Sequence, residues 1–449
     1  MSPAPFPDVR LPLSHPSNPV WHPYAPDPFP GPRAFFTRAE GAYVFDAEGK
    51  RYLDATSSWW CITHGHCHPR LVEALSRQAA VLDHVMLSPH LHGPAAELAS
   101  ELVALLGAPF SRVFFSDDGS TAVEAALKMA LQHFLNRGET GRNRVVALSG
   151  AYHGDTLGAV SVGDVGIYHD AFSAWRFPAD RVPAPYCYRC PVGREYPGCG
   201  IACLAPAREI FREHGGRVAA VIVEPLVMGA GGMIVYPPEY LQGLVELARE
   251  AGALVIFDEV FTGFGRTGSM FALEAIVARP DIVCLSKGLT AGMLPLAATV
   301  VTEAVFRPFV GGADRAFQHG HTFTGNPLGC AVALESLRLF REEGTLARNR
   351  ELEAVLAERR EAFAALPVVG DVRQRGLVWA LELVQDKAKK TPPSPLNGPG
   401  WKAAWAMWER GYWLRPLHNT LYVIPPYCTR PEELRDLLDV LYGVLGGDA

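Results

Sequence analysis

The chain has 449 residues, 49% of them hydrophobic and 20% charged, with a formal net charge of −6. That balance excludes a disordered or fibrous protein, and with no Lys/Arg-rich block there is no electrostatic footprint for nucleic acid or an anionic membrane surface. Small-molecule chemistry remains, in two or three domains of roughly 150 residues, or fewer if one is a large α/β domain.

The first 32 residues contain eleven prolines and no uninterrupted apolar run, so they read as an extended arm rather than a signal peptide, and the expected location is the cytosol. "GAYVFDAEGKRYLDA" then reads as a hairpin turning at Glu48 and Gly49. From about residue 76, helical stretches such as "AAELASELVALLG" and "PPEYLQGLVELAREAG" alternate with the β-rich runs "RVFFSD", "RVVALSG", "RVAAVIVEP", "GALVIFDEV", "DIVCLSKG" and "LAATVVT". Those runs are apolar throughout, which predicts strands buried on both faces of a mostly parallel sheet flanked by helices, with the ligand crevice at their carboxyl ends. Near residue 328 a long helical stretch begins, followed by the strands "LVWALELV" and "TLYVIPPY", the surface loop "KAKKTPPSPLNGPG" between them, and a closing helix. The expected organisation is an N-terminal arm with part of a small domain over 1–75, a large α/β domain over 76–335, and the rest of an α+β small domain over 336–449. The most apolar long window carries Glu224, three prolines and three glycines, so no transmembrane segment is expected.

Asp258 ends one apolar strand and Lys287 follows the next, so both project into one crevice, either as a functional pair or as a structural ion pair. Gly119 and Ser120 precede a helical run and form an anion site at a helix N-terminus, unless Ser120 or Asp118 is simply an N-cap. Tyr152 follows a strand, where a ring serves as core or as a cover for a flat cofactor. Amine, acid, phosphate cradle and aromatic plate together are what pyridoxal phosphate requires.

With "FSDDGSTAVEAALKMA", "YHGDTLGAVSV", "VIFDEVFTGFGRTG", "LSKGLTAGMLPLAA" and "HGHTFTGNPLGCAVAL" in order, the chain resembles the class III aminotransferases of fold type I over almost its whole length. Within them, "VWHPYA", "DATSSWWCITHGHCHP", "YHGDTLGAVSVGDV" and "LRPLHNTLYVIPPY" resemble the adenosylmethionine-8-amino-7-oxononanoate aminotransferases of biotin biosynthesis. The resemblance implies pyridoxal 5'-phosphate as cofactor, with Lys287 holding its aldehyde and moving a proton, Asp258 on the ring nitrogen, Tyr152 on the ring, and Gly119 and Ser120 on the phosphate. It implies a homodimer with shared active sites, Thr322 reaching the neighbour's phosphate. For substrates it implies Arg415 on a carboxylate and Tyr24, Trp59 and Trp60 as an aromatic wall, with Asp155 and Arg266 at functional positions or in buried structural pairs. The donor stays open between S-adenosylmethionine, which "SSWW" suggests, and lysine, because His321 stands where many adenosylmethionine users have proline. Another ω-amino acid or diamine aminotransferase is the alternative.

Two patterns point elsewhere. "GFGRTG", residues 263–268, satisfies the dinucleotide fingerprint of a nicotinamide-dependent dehydrogenase, but "DEVFT" separates it from the strand. Cys187, Cys190, Cys199 and Cys203 have a spacing that permits a tetrahedral zinc site, although nine cysteines in a cytosolic chain read as reduced thiols and no metal is expected.

Overall fold

The computed structural model describes residues 20–394 and 398–447; most of the proline-rich arm and the tip of the "KAKKTPPSPLNGPG" loop lie outside the described residues. The central sheet has seven strands in the order Phe110–Ser116, Ala297–Thr302, Ile282–Leu285, Leu254–Asp258, Val218–Val223, Arg144–Leu148, Asp180–Val182. The last five in that order pair in parallel, whereas Ala297–Thr302 runs antiparallel to both its neighbours. The reason is chain length: residues 286–296 form a connection too short for the helical crossover that a parallel partner needs.

Every residue of Val218–Val223, Leu254–Asp258, Ile282–Leu285 and Ala297–Thr302 is buried. Alternate side chains serve two cores. Val221, Val223, Val255, Phe257, Val283 and Leu285 pack with Tyr240, Leu241 and Leu244 of helix Pro238–Glu250. Ala220, Ile222, Ile256, Ile282 and Cys284 pack with Ala122, Val123, Ala125 and Ala126 of helix Gly119–Asn136. The alanine-rich face lets that helix lie close enough for Thr299 Oγ1 to donate to the Ala122 carbonyl at 3.0 Å. This tight seat aims the helix N-terminus at the crevice.

The hairpin forms Phe36–Glu40, Tyr43–Asp46 and Arg51–Asp54, and Tyr412–Trp413 joins it in parallel beside Arg51–Asp54. The two chain ends therefore meet in one sheet. A second C-terminal sheet, Val369–Arg375, Val378–Leu383 and Thr420–Val423, is antiparallel. The long helical stretch expected after residue 328 is three helices, Pro327–Glu342, Thr345–Glu358 and Arg360–Ala365. The first break falls at Gly344, whose φ of +58° suits a residue without Cβ. No helix among the described residues is long and apolar enough to cross a membrane.

Candidate active site

Three adjacent strands end in ionisable side chains. Val218–Val223, Leu254–Asp258 and Ile282–Leu285 lie side by side, and the chain leaves them at Glu224, Asp258 and, after Ser286, Lys287. A cavity of about 620 Å³ opens at these ends, lined by Lys287, Asp258, Gly119, Ser120, Tyr152 and Trp60 among others.

Lys287 is partly buried, and its side chain has no hydrogen bond or ion pair among the described residues. Its Nζ lies 4.7 Å from the Trp60 ring centroid and 5.8 Å from that of Phe261. Loss of solvent lowers its pKa, with the Asp258 carboxylate opposing the shift. An amine so placed is a nucleophile and base nearer neutrality than a surface lysine. It also opens its 3₁₀ turn at a φ of +45°, backbone strain of the kind that persists where surroundings over-determine it.

Asp258 is buried, its Oδ2 2.7 Å from His153 Nδ1, while Oδ1 accepts the Val260 N–H at 3.1 Å. The carboxylate is thus held rigidly at the end of its strand.

At the helix N-terminus the capping question resolves in favour of Asp118. Its Oδ1 accepts the Thr121 N–H at 2.9 Å, and Thr121 Oγ1 accepts the Asp118 N–H at 3.0 Å. The N–H groups of Gly119 and Ser120 then have no intrahelical acceptor and face the cavity with the positive end of the helix dipole. A Cβ on Gly119 would sit 2.5 Å from Val260 Cγ1, so the close approach there requires glycine. Ser120 Oγ accepts the Thr156 N–H at 3.0 Å.

Tyr152 donates from its hydroxyl to Asp155 Oδ2 at 2.7 Å, and its ring lies parallel to His169 within 9° at 5.7 Å. Tyr24 also donates to Asp155, and its hydroxyl stands 3.3 Å from that of Tyr152. Burial, followed by the hydrogen bond to Asp155, pushes the Tyr24 pKa up to about 12, so it stays a donor at neutral pH.

Tyr24, Trp59 and Arg415 line a second cavity of about 930 Å³, walled by the N-terminal residues and by Trp401, Trp405 and Trp408 of helix Pro399–Glu409. The Arg415 guanidinium stands 5.1 Å from the Trp59 ring centroid, and Tyr24 meets Trp59 edge-on at 5.5 Å. The tandem tryptophans part company: Trp60 lines the lysine cavity and Trp59 the larger one. Ser57, Ser58, Trp59 and Trp60 all have positive φ, a left-handed turn costing roughly 1–2 kcal/mol per residue. The buried Asp54 carboxylate anchors it, accepting from Thr56 Oγ1 at 3.0 Å and Ser58 Oγ at 2.7 Å.

Arg266 lies elsewhere. It is 1% exposed, lines neither cavity, and donates to the carbonyls of Pro425 and Ile62 at 2.8 Å each. Its guanidinium thus clamps main-chain carbonyls of residues 60 and 62 to that of 425. Arg266→Leu should therefore lower unfolding stability by about 3 kcal/mol, since buried carbonyls lose a charged donor; chemical denaturation measures it. Thr322 is exposed and lines neither cavity of its own chain, while its neighbour His321 holds Asp117 at 2.7 Å on the lysine cavity's rim.

Glu224 and His153 went unassigned in the sequence. The signal for Glu224 was the one used for Asp258 and Lys287, a charge ending an apolar strand. "GFGRTG" folds into consecutive turns followed by the 3₁₀ segment Ala272–Ala275, not a strand–turn–helix. All nine cysteines are free thiols; Cys187, Cys190, Cys199 and Cys203 border one small cavity, yet among the described residues no three His, Cys, Asp or Glu side chains are grouped to hold a metal.

A partly buried lysine set against aromatic rings, a fixed carboxylate, a glycine-lined helix N-terminus and an aromatic plate, at the carboxyl ends of a mainly parallel sheet, define a class, and the family model for class-III aminotransferases matches residues 27–445. The chain belongs to the class-III aminotransferases, fold type I enzymes that use pyridoxal phosphate. Among particular relatives, it is 44% identical to the adenosylmethionine-8-amino-7-oxononanoate aminotransferase of Geobacter sulfurreducens, over 94% of each chain. It is 43% identical to the protein of that name from Synechococcus elongatus, over 96% of this chain and 99% of the other. The crystal structure of the Methanocaldococcus jannaschii protein of that name superposes with a TM-score of 0.90 at 36% identity, covering 95% of this chain and 97% of that one. An amine transaminase from an uncultivated Pseudomonas species, solved with the cofactor bound, gives 0.91 at 32% identity, covering 96% and 99%.

The residues present fit that cofactor. The first-turn N–H groups of Gly119 and Ser120 suit a phosphate, and the Lys287 amine has no hydrogen bond or ion pair among the described residues.

Proposed function

We propose that this chain transfers an amino group to 8-amino-7-oxononanoate, giving 7,8-diaminononanoate in biotin biosynthesis, with S-adenosylmethionine as donor and lysine as the second candidate. The observation that carries it is the near-full-length identity to several enzymes of that name, joined to a lysine cavity that abuts an aromatic one at Tyr24. A lysine donor lacks the flat ring and sulfonium that such aromatic walls attract.

Pyridoxal phosphate supplies an aldehyde and an electron-withdrawing ring. Lys287 would hold that aldehyde through its Nζ, and the same atom would carry a proton to and from the substrate. Asp258, fixed by His153, would hold the cofactor's ring nitrogen in its protonated form, because an ionised carboxylate favours the charged ring. Tyr152 would cover the ring, Gly119 and Ser120 would bind the phosphate, and Trp60 with Phe261 excludes water from the lysine. Asp155 orients Tyr152 and Tyr24, while Tyr24, Trp59 and Arg415 receive the substrate chain and its carboxylate. Thr322, spare in its own chain, completes the phosphate site of a partner subunit, so the active unit is a homodimer; a monomer mass by light scattering contradicts this. The working division remains 1–75, 76–335 and 336–449, in a cytosolic enzyme.

The test is product formation from 8-amino-7-oxononanoate as acceptor with S-adenosylmethionine, lysine, and ω-amino acids or diamines as donors in turn. Turnover confined to other amines contradicts the assignment. Arg415→Ala should raise the acceptor KM by about 10- to 100-fold with a smaller change in kcat, as expected when one charge-assisted contact is lost.

A further inference from the structure

We propose that Glu224 is the positioning residue that ties two walls of the cofactor cavity together and sets the charge the lysine experiences, a role that rests on the reading of that cavity as the pyridoxal phosphate site. Glu224 follows strand Val218–Val223 and is buried, with no lysine or arginine bonded to it among the described residues. Each carboxylate oxygen accepts one backbone N–H: Oε1 from Tyr152 at 3.0 Å and Oε2 from Gly229 at 2.8 Å. Tyr152 is the aromatic plate. Gly229 backs the lysine's rings, since a Cβ there would lie 2.9 Å from Phe261 Cδ1 and 3.3 Å from Trp60 Cζ3. One side chain thus fixes the main chain behind both.

Its charge reaches the centre as well. Burial pushes its pKa up to about 7, with His153 opposing that shift and Asp258 adding to it. The ionised carboxylate in turn raises the pKa of Lys287. The other titratable group packed here is Tyr236, whose hydroxyl donates to the Glu224 backbone carbonyl at 2.6 Å. Only the ionised form offers both oxygens purely as acceptors; protonation makes one of them a donor facing an N–H. A glutamine has the same defect permanently and carries no charge.

The experiment compares Glu224→Gln and Glu224→Asp with the parent enzyme. Three readouts are taken: cofactor affinity by tryptophan quenching, the pH midpoint of the bound cofactor's absorbance, and the melting temperature of the cofactor-free protein. Glu224→Gln should bind pyridoxal phosphate roughly tenfold more weakly, from one lost acceptor. Its absorbance midpoint should fall by about half a pH unit or more, because removing a nearby negative charge makes the lysine-held proton easier to lose. Glu224→Asp should keep the parent midpoint while its shorter arm weakens binding. A Glu224→Gln enzyme with the parent midpoint overturns the proposal whatever its melting temperature, since a merely structural glutamate would change stability alone. Should that variant not fold, Glu224→Asp with parent affinity overturns it. A parent enzyme that never takes up the cofactor removes the cavity assignment instead.

Discussion

Lys287→Ala should lower transamination by at least ~10⁴-fold, the loss expected when one group is both nucleophile and proton carrier, and should leave the fold intact. The second half follows from the same surroundings as the first. Lys287 is partly buried, without a hydrogen bond or ion pair among the described residues, against the rings of Trp60 and Phe261. A cation in that position costs stability, since the facing rings and the nearby carboxylates do not make up for its lost hydration. Alanine removes the cost along with the chemistry, so the cofactor-free variant should melt at or above the parent temperature. Circular dichroism and a melting curve beside the turnover assay check both halves. An active variant, or an inactive one that is unfolded, would contradict the role given to Lys287.

Asp258→Asn should reduce kcat by about 10³-fold, the scale of losing a fixed charge aimed at the reacting group. The substitution is nearly isosteric, but the native carboxylate only accepts, from His153 Nδ1 at 2.7 Å and from the Val260 N–H at 3.1 Å. An asparagine presents an amide donor to one of these partners and no charge to the ring nitrogen. The ring then loses its proton more readily, and the absorbance of the bound cofactor should change with pH in a range where the parent is flat. Unchanged kcat would mean that Asp258 serves only the fold.

Much of this site was legible because burial on both faces forbids charge within a strand. A run such as "DIVCLSKG" or "GALVIFDEV" therefore marks its own exit into the crevice, and Asp258 and Lys287 stand at those exits. Gly119 and Ser120 were legible through the helix that follows them. The same rule marked Glu224 at the end of "RVAAVIVEP", where it served only as an argument against a membrane span. The rest depends on contacts between residues far apart in the chain. Four consecutive non-glycine residues in the left-handed region, Ser57–Trp60, contradict local preference and are held by Asp54 and by Ser57 Oγ donating to the Ile424 carbonyl at 2.7 Å. For Arg266 the sequence left a functional position and a buried structural pair open, because a motif does not reveal that its hydrogen-bond acceptors are main-chain carbonyls of 62 and 425. Likewise the antiparallel run of Ala297–Thr302 follows from the length of a connection, which composition does not express.

The measurement that tests the central claim most directly is an absorption spectrum of the purified protein, taken before and after S-adenosylmethionine or lysine in separate cuvettes, followed by 8-amino-7-oxononanoate. The expected result is a yellow band that one donor bleaches and the oxononanoate restores, which assigns cofactor, donor and acceptor in one series. A protein that is colourless and stays so after incubation with pyridoxal phosphate would contradict it.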